Sequence, residues 1–191
     1  GAIPAMAGPD ARSLHRTHSA GAVMRCVTLV LGGARSGKSR YAESLAANAH
    51  GARTYIATAD AFDDEMRQRI ARHQAQRGDG WTTVEAPLDL VGALRGCKDG
   101  FVLIDCLTVW LNNLMFHERD VEADVAALCA ALKETTLDVV LVSNEVGLSI
   151  VPDNALARRF RDEQGLANQR VAEVADEVYF LAAGLPLALK R

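Results

Sequence analysis

Apolar positions along the chain fall into short runs separated by polar stretches with helical spacing. Residues 26–31 (CVTLVL) form a β-branched, apolar run that predicts a buried strand. Residues 32–39 break the pattern. Residues 40–50 carry Ala, Glu and Leu at helical spacing, and Gly51 stops them. Residues 53–57 and 81–85 predict two more strands, with a polar helix between them over residues 63–77 whose acidic start suits the positive end of the helix dipole. A helix over residues 88–95 follows. Residues 101–105 are an apolar run closed by an acid, and residues 107–116 predict a strongly apolar helix, with Trp110, Leu111, Leu114 and Phe116 assigned to the core by default rather than to an interface. A helix over 124–135 and a long buried strand over 137–143 come next. Residues 153–175 predict an amphipathic helix, started at Pro152, Asp153 and Asn154 and interrupted near Gly165. Two short strands, 178–181 and 185–189, close the chain. Strands alternating with helices predict an α/β fold of βαβ units around a mainly parallel sheet flanked by helices.

The chain has 191 residues, a length that suits one domain, here residues 26–191. It is 49 % apolar and 24 % charged with a net charge of −3, which argues against overall disorder and against a nucleic-acid or membrane footprint carried by basic excess. No run approaches the ~20 apolar residues that span a bilayer. Cys26, Cys97, Cys106 and Cys129 form no C-x-x-C pair and no metal spacing with histidine, so they read as reduced, buried thiols of a cytoplasmic protein. Residues 1–25 lack the apolar core of a secretory signal and read as a mobile tail or an expression remnant outside the fold.

The densest chemical signal is Gly32-Gly33-Ala34-Arg35-Ser36-Gly37-Lys38-Ser39, which fits G-x-x-x-x-G-K-[ST] between a strand and a helix. The glycines let the backbone turn several N–H groups onto one anion, and the helix start adds its dipole. Lys38 would place a cation on the β- and γ-phosphates, and the Ser39 hydroxyl would face Mg²⁺. A second Mg²⁺ ligand is expected from a carboxylate at a neighbouring strand end, and Asp105 occupies such a place; the competing reading makes Asp105 a cap for the helix that follows. N-K-x-D, the guanine reader of GTPase switches, is absent.

On the helix of residues 63–77, Arg69, His73 and Arg77 share one face. Flanking guanidiniums disfavour a proton on the imidazole and can hold phosphate oxygens, so His73 is either a nucleophile towards phosphorus or an incidental histidine on a solvated basic face. Asn144 and Glu145 follow a buried strand and either reach substrate or metal or form a turn.

Several separated motifs, in one order, carry a family resemblance: GGARSGKS at 32–39; Tyr55-Ile-Ala-Thr58 with Asp64-Glu-Met and Arg69-Ile-x-x-His73; Trp81-x-Thr-x-Glu85; Val142-Ser-Asn-Glu-Val-Gly147 with Ile150-Val-Pro152; and Phe160-Arg-Asp162 with Asn168-Gln-Arg170. From about Val27 onward the chain resembles the bifunctional adenosylcobinamide kinase/adenosylcobinamide-phosphate guanylyltransferases. The resemblance implies a P-loop nucleoside triphosphate hydrolase-like fold of the kind seen in recombinase-type ATPases. It implies phosphorylation of adenosylcobinamide by ATP or GTP, then transfer of GMP from GTP to adenosylcobinamide phosphate through a histidine–GMP intermediate at His73. It also implies a nucleotide site of residues 32–39 with Ala57, Thr58, Ala59, Gln74, Ala75, Gln76, Arg77, Glu85 and Asp105, and a homotrimer. Where the family can hold two adjacent histidines, Arg72 replaces the first. The rivals are a plain small-molecule kinase, in which only the γ-phosphate moves, and a nucleotide-dependent regulatory or scaffold protein, which binds without turnover.

Overall fold

The computed structural model describes residues 25–49, 51–59 and 80–191. Among them the chain forms strands β1 (Val27–Gly32), β2 (Arg53–Ala57), β3 (Trp81–Glu85), β4 (Phe101–Asp105), β5 (Asp138–Asn144), β6 (Glu177–Ala182) and β7 (Leu185–Lys190). The helices are α1 (Lys38–Leu45, extended by a 3₁₀ turn over Ala46–Asn48), α2 (Leu90–Gly96), α3 (Leu107–Phe116), α4 (Val121–Glu134) and α5 (Ala155–Val174). The helix expected over residues 63–77 and the tail 1–24 lie outside the described residues.

All strands join one sheet in the order β3-β2-β4-β5-β1-β6-β7, parallel except for the closing β6–β7 hairpin. Side chains alternate across it, so each strand feeds two cores. Val27, Leu29 and Leu31 pack with Val102, Ile104, Val139 and Leu141 under α2 to α5, whereas Val30, Leu103, Val140 and Val142 pack with Ala42 under α1. The near-continuous apolar runs in the sequence reflect this double coverage. Trp110, Leu111 and Leu114 are core residues, and Trp110 Nε1 donates to the Leu88 carbonyl at 2.9 Å; Phe116, expected with them, is exposed.

Some boundaries differ from the pattern-based expectation. α1 starts at Lys38 rather than residue 40, because Gly37 in the left-handed region leads straight into it. α4 starts three residues earlier than expected, since Asp120 caps it by accepting from Ala123 N at 3.0 Å. α5 runs unbroken through Gly165; the mid-helix glycine costs about 1 kcal/mol of propensity but does not break hydrogen bonding. Its ends are secured instead: Asn154 accepts from Ala157 N at 2.7 Å, and Lys190 Nζ donates to the carbonyls of Ala172, Glu173 and Ala175. Arg25, counted with the tail, donates to the Leu132 carbonyl at 3.2 Å and pairs with Asp176 at 3.7 Å. A glycine-rich phosphate loop following β1 of a parallel sheet with helices on both faces is the P-loop nucleoside triphosphate hydrolase-like fold.

Candidate functional site

Strand register gathers the candidate residues at the carboxyl edge of the sheet, where open α/β sheets bind ligands. Ala57 pairs with Glu85 on one side and Asp105 on the other, and Asp105 pairs with Val142; on the adjoining strand Gly32 pairs with Asn144 and Leu181. Glu85, Ala57 and Asp105 therefore share one rung.

Beyond β1 the chain bends sharply. A Cβ on Gly32 would lie 2.6 Å from the Leu181 carbonyl oxygen and 2.7 Å from Ser36 Oγ, so no other residue fits without displacement. Arg35 (φ 56°) and Gly37 (φ 97°) take left-handed backbone. Ser36 N donates to the Gly33 carbonyl at 3.3 Å and Gly184 N donates to the Ser36 carbonyl at 2.9 Å, so the β6–β7 turn braces the loop from behind. Ala34 and Arg35 are exposed, Gly33 and Ser39 half-buried, and no neighbour stands within 4 Å of a Cβ built on Gly33. Ser36 Oγ is buried with no hydrogen-bond partner among the described residues. An orphaned hydroxyl inside a turn whose glycine faces open space is what an anion cradle requires before its anion arrives.

Lys38 is only 7 % exposed, and its Nζ donates to the Gly33 carbonyl at 2.7 Å. Burial holds its ammonium below the usual lysine range, while the charges of Cys106 and Asp105 push back. A buried cation whose one hydrogen-bond acceptor among the described residues is a neutral carbonyl favours an anionic ligand.

Asp105 closes β4 on the α1 side, and Tyr55 Oη donates to its Oδ2 at 3.2 Å. The following helix is not capped by Asp105: the cap position is Cys106, whose side chain makes no capping bond. The Asp105–Cys106 peptide bond is cis. Thr58 is fully buried; its Oγ1 donates to the Cys106 carbonyl and accepts from Cys106 N, both at 2.8 Å, which ties the end of β2 to the end of β4. Ala59 is half-buried and Glu85 exposed. Among the described residues no three or more His, Cys, Asp and Glu side chains form a metal cluster. A hydroxyl (Ser39) with one carboxylate (Asp105) suits a cation that completes its shell with phosphate oxygens and water, as Mg²⁺ does. His73, Gln74, Ala75, Gln76 and Arg77 lie outside the described residues.

Thr58 was expected in the nucleotide site but not as a brace, and Cys106 and Gly184 were not expected at the site, since these bracing roles arise from contacts between distant segments. A buried polar cluster behind β5 was equally hidden. Ser143 Oγ donates to Asn168 Oδ1 at 2.6 Å, Gln164 Nε2 donates to both at 2.9 and 3.0 Å, and Asn168 Nδ2 donates to the Asn144 carbonyl at 3.1 Å. Only the residence of Ser143, Asn144 and Asn168 in the motifs at 142–147 and 168–170 could have pointed to it; Gln164 lies in neither. Glu145 makes a local turn contact, its Oε1 accepting from Gly147 N at 2.6 Å, while its own N–H donates to the Gly32 carbonyl at 3.0 Å.

The cysteines are unpaired and half-buried rather than fully buried, and burial pushes the Cys26 and Cys106 thiols up to about 11. No helix among the described residues is long and apolar enough to cross a membrane.

Among solved structures, the flagellar accessory protein FlaH from Methanocaldococcus jannaschii is similar over 87 % of this chain and 79 % of its own, at 13 % identity and a TM-score of 0.49. The bifunctional adenosylcobalamin biosynthesis protein CobP of Pseudomonas aeruginosa is 48 % identical over 166 residues, covering 85 % of this chain and 96 % of that protein. The bifunctional adenosylcobalamin biosynthesis protein CobU of Salmonella typhimurium is 41 % identical over 179 residues, covering 85 % and 98 %. The model of the family described as cobinamide kinase / cobinamide phosphate guanyltransferase matches residues 28–189, and with these relatives it shows that the chain belongs to that family.

Proposed function

We propose that this chain phosphorylates adenosylcobinamide with a nucleoside triphosphate and then transfers GMP from GTP to the product through a His73–GMP intermediate. The observation that carries the phosphoryl half is the buried Lys38 beside the orphaned Ser36 hydroxyl, at the edge where Asp105 also ends its strand. Residues 32–39 bind the triphosphate, Lys38 neutralises charge on the departing oxygens, and Ser39 with Asp105 holds Mg²⁺. Mg²⁺, when bound, supplies Lewis-acid stabilisation of the phosphates. Ala57, Thr58, Ala59 and Glu85 complete the nucleotide site together with Gln74, Ala75, Gln76 and Arg77.

The guanylyl half rests on family membership and on the motif around His73. A histidine nucleophile splits the transfer into two displacements, releasing pyrophosphate in the first. We place the enzyme in the cytoplasm as a homotrimer that uses GTP and ATP, acting in assembly of the cobalamin nucleotide loop; light scattering at three times the chain mass checks the trimer. The decisive experiment is labelling. GTP labelled at the α-phosphate should mark the protein, GTP labelled at the γ-phosphate should not, and the mark should be lost in acid and survive in base. His73→Ala should abolish it and spare much of cobinamide phosphorylation. A label that persists in His73→Ala means another residue carries GMP. Movement of the γ-phosphate alone returns the reading to a plain kinase.

A further inference from the structure

Between α5 and the β6–β7 hairpin runs a groove of about 540 Å³ whose wall includes Leu31, Glu145, Leu148, Gly165, Asn168 and Leu189. One end lies against the phosphate loop: Leu31 immediately precedes Gly32, and Glu145 N is bonded to the Gly32 carbonyl at 3.0 Å. Two observations say that the groove is built to receive something. Gly165 stands mid-helix, where glycine is a poor choice. Its φ is not positive and a Cβ there would meet nothing within 4 Å, so neither backbone nor packing demands glycine; its missing side chain keeps the groove open. The wall beside it is also pre-ordered. Gln164 and Asn168, 0 % and 5 % exposed, hold Ser143 and the Asn144 carbonyl, and so fix the point from which Glu145 leaves β5.

We infer that this groove holds the corrinoid acceptor and that Glu145, at its mouth, takes the proton of the hydroxyl that is phosphorylated. The inference rests on the kinase reading above. A corrinoid presents apolar macrocycle faces and a rim of amides; Leu31, Leu148 and Leu189 supply an apolar floor, and Gln169 supplies an amide on the wall. The volume lies within the ~300–1,000 Å³ usual for small-molecule sites, enough to seat part of the macrocycle while the rest stays in solvent. Leu148, 82 % exposed, and Leu189, 58 % exposed, are large apolar side chains that such a ligand would cover. In the step itself the acceptor hydroxyl oxygen bonds to the γ-phosphorus. The bond from that phosphorus to the bridging oxygen breaks, the nucleoside diphosphate leaves with the electron pair, and the hydroxyl proton passes to the Glu145 carboxylate.

Gly165→Phe directs a ring into the groove without touching the phosphate loop, and Gly165→Ala adds a single methyl to the same wall. Gly165→Phe should raise the acceptor KM by about tenfold or more with GTP affinity retained, and Gly165→Ala should raise it in the same direction by less. Equilibrium dialysis with cobinamide alone should show the same loss. Glu145→Gln should lower kcat for cobinamide phosphorylation by roughly 10²–10⁴ while acceptor KM and GTP affinity hold. Unchanged cobinamide binding in Gly165→Phe overturns the groove, and if the particle mass falls at the same time the groove is a subunit contact instead. Full kcat in Glu145→Gln removes it as the base. A parent protein that binds cobinamide in the groove but never phosphorylates it sinks the kinase reading and the base, and leaves the groove standing.

Discussion

Lys38 is the residue whose environment says most. An ammonium is kept from water by the loop and turned onto a peptide carbonyl, with Asp105 close enough for its charge to be felt. Asp105 is itself held by Tyr55, and no helix cap competes for it. Asp105→Asn preserves the shape and deletes the charge. It is expected to leave stability within about 0.5 kcal/mol while raising the Mg²⁺ concentration for half-maximal phosphorylation by roughly tenfold. An unaltered Mg²⁺ titration would show that the carboxylate does not hold the cation. The thiols make a separate point. The fold favours the neutral form of Cys26 and Cys106, so their contribution is complete below pH 9 and is lost as pH rises through about 11. Near pH 8 their thiolate fraction should be about a hundredfold below that of an ordinary thiol, and iodoacetamide, followed by peptide mass analysis, should modify them correspondingly slowly.

At the scale of elements, periodicity located every strand within a residue or two, because each must be apolar where the sheet is covered on both faces. Helix starts were harder to read, since they depend on a single side chain meeting a backbone N–H three residues on. Asp120 does so for α4, so the helix begins ahead of the expected residue 124, with Glu122 and Asp124 in its first turn. Asp120→Ala should cost about 1 kcal/mol and lower the melting temperature by ~2–4 °C in a calorimetric scan. Gly165 misled in the opposite direction. Glycine weakens a helix, but tertiary packing along Ala167 and Val171 and caps at both ends outweigh one poor position.

For the molecule as a whole, the site is a property of the sheet edge and not of any one element. The P-loop stands where β1 meets β5 and β6, the candidate metal ligand arrives from β4, and the closing hairpin braces the loop through Gly184. Such an edge stays incomplete until the triphosphate binds. Because burial depresses the Lys38 pKa, its charged form weighs against folding at neutral pH, a cost relieved only as pH climbs through the depressed value. Lys38→Met should therefore melt no lower than the parent when nucleotide is absent. Mg²⁺ and GTP at about 100 times Kd should stabilise the parent by about 2.7 kcal/mol and leave Lys38→Met unshifted. A nucleotide-dependent rise in melting temperature in the variant would end the assignment of Lys38 to the phosphate site.

What the amino-acid sequence determined by itself is whatever depends on neighbours along the chain. This covers the alternation of strands and helices, the phosphate loop with its glycines and lysine, and the acid that ends β4. Local periodicity and backbone freedom are written in consecutive residues, and the tertiary structure only had to assemble them. What only the tertiary structure decided is whatever depends on segments meeting across the sheet. Register alone places Glu85, Ala57 and Asp105 on one rung. Folding alone joins Ser143 to Gln164 and Asn168, residues 21 and 25 positions apart, where burial makes their mutual hydrogen bonds the replacement for water. The sheet order alone leaves a groove beside the phosphate loop, because strand pairing follows from the burial of the whole chain and no single run of residues encodes it.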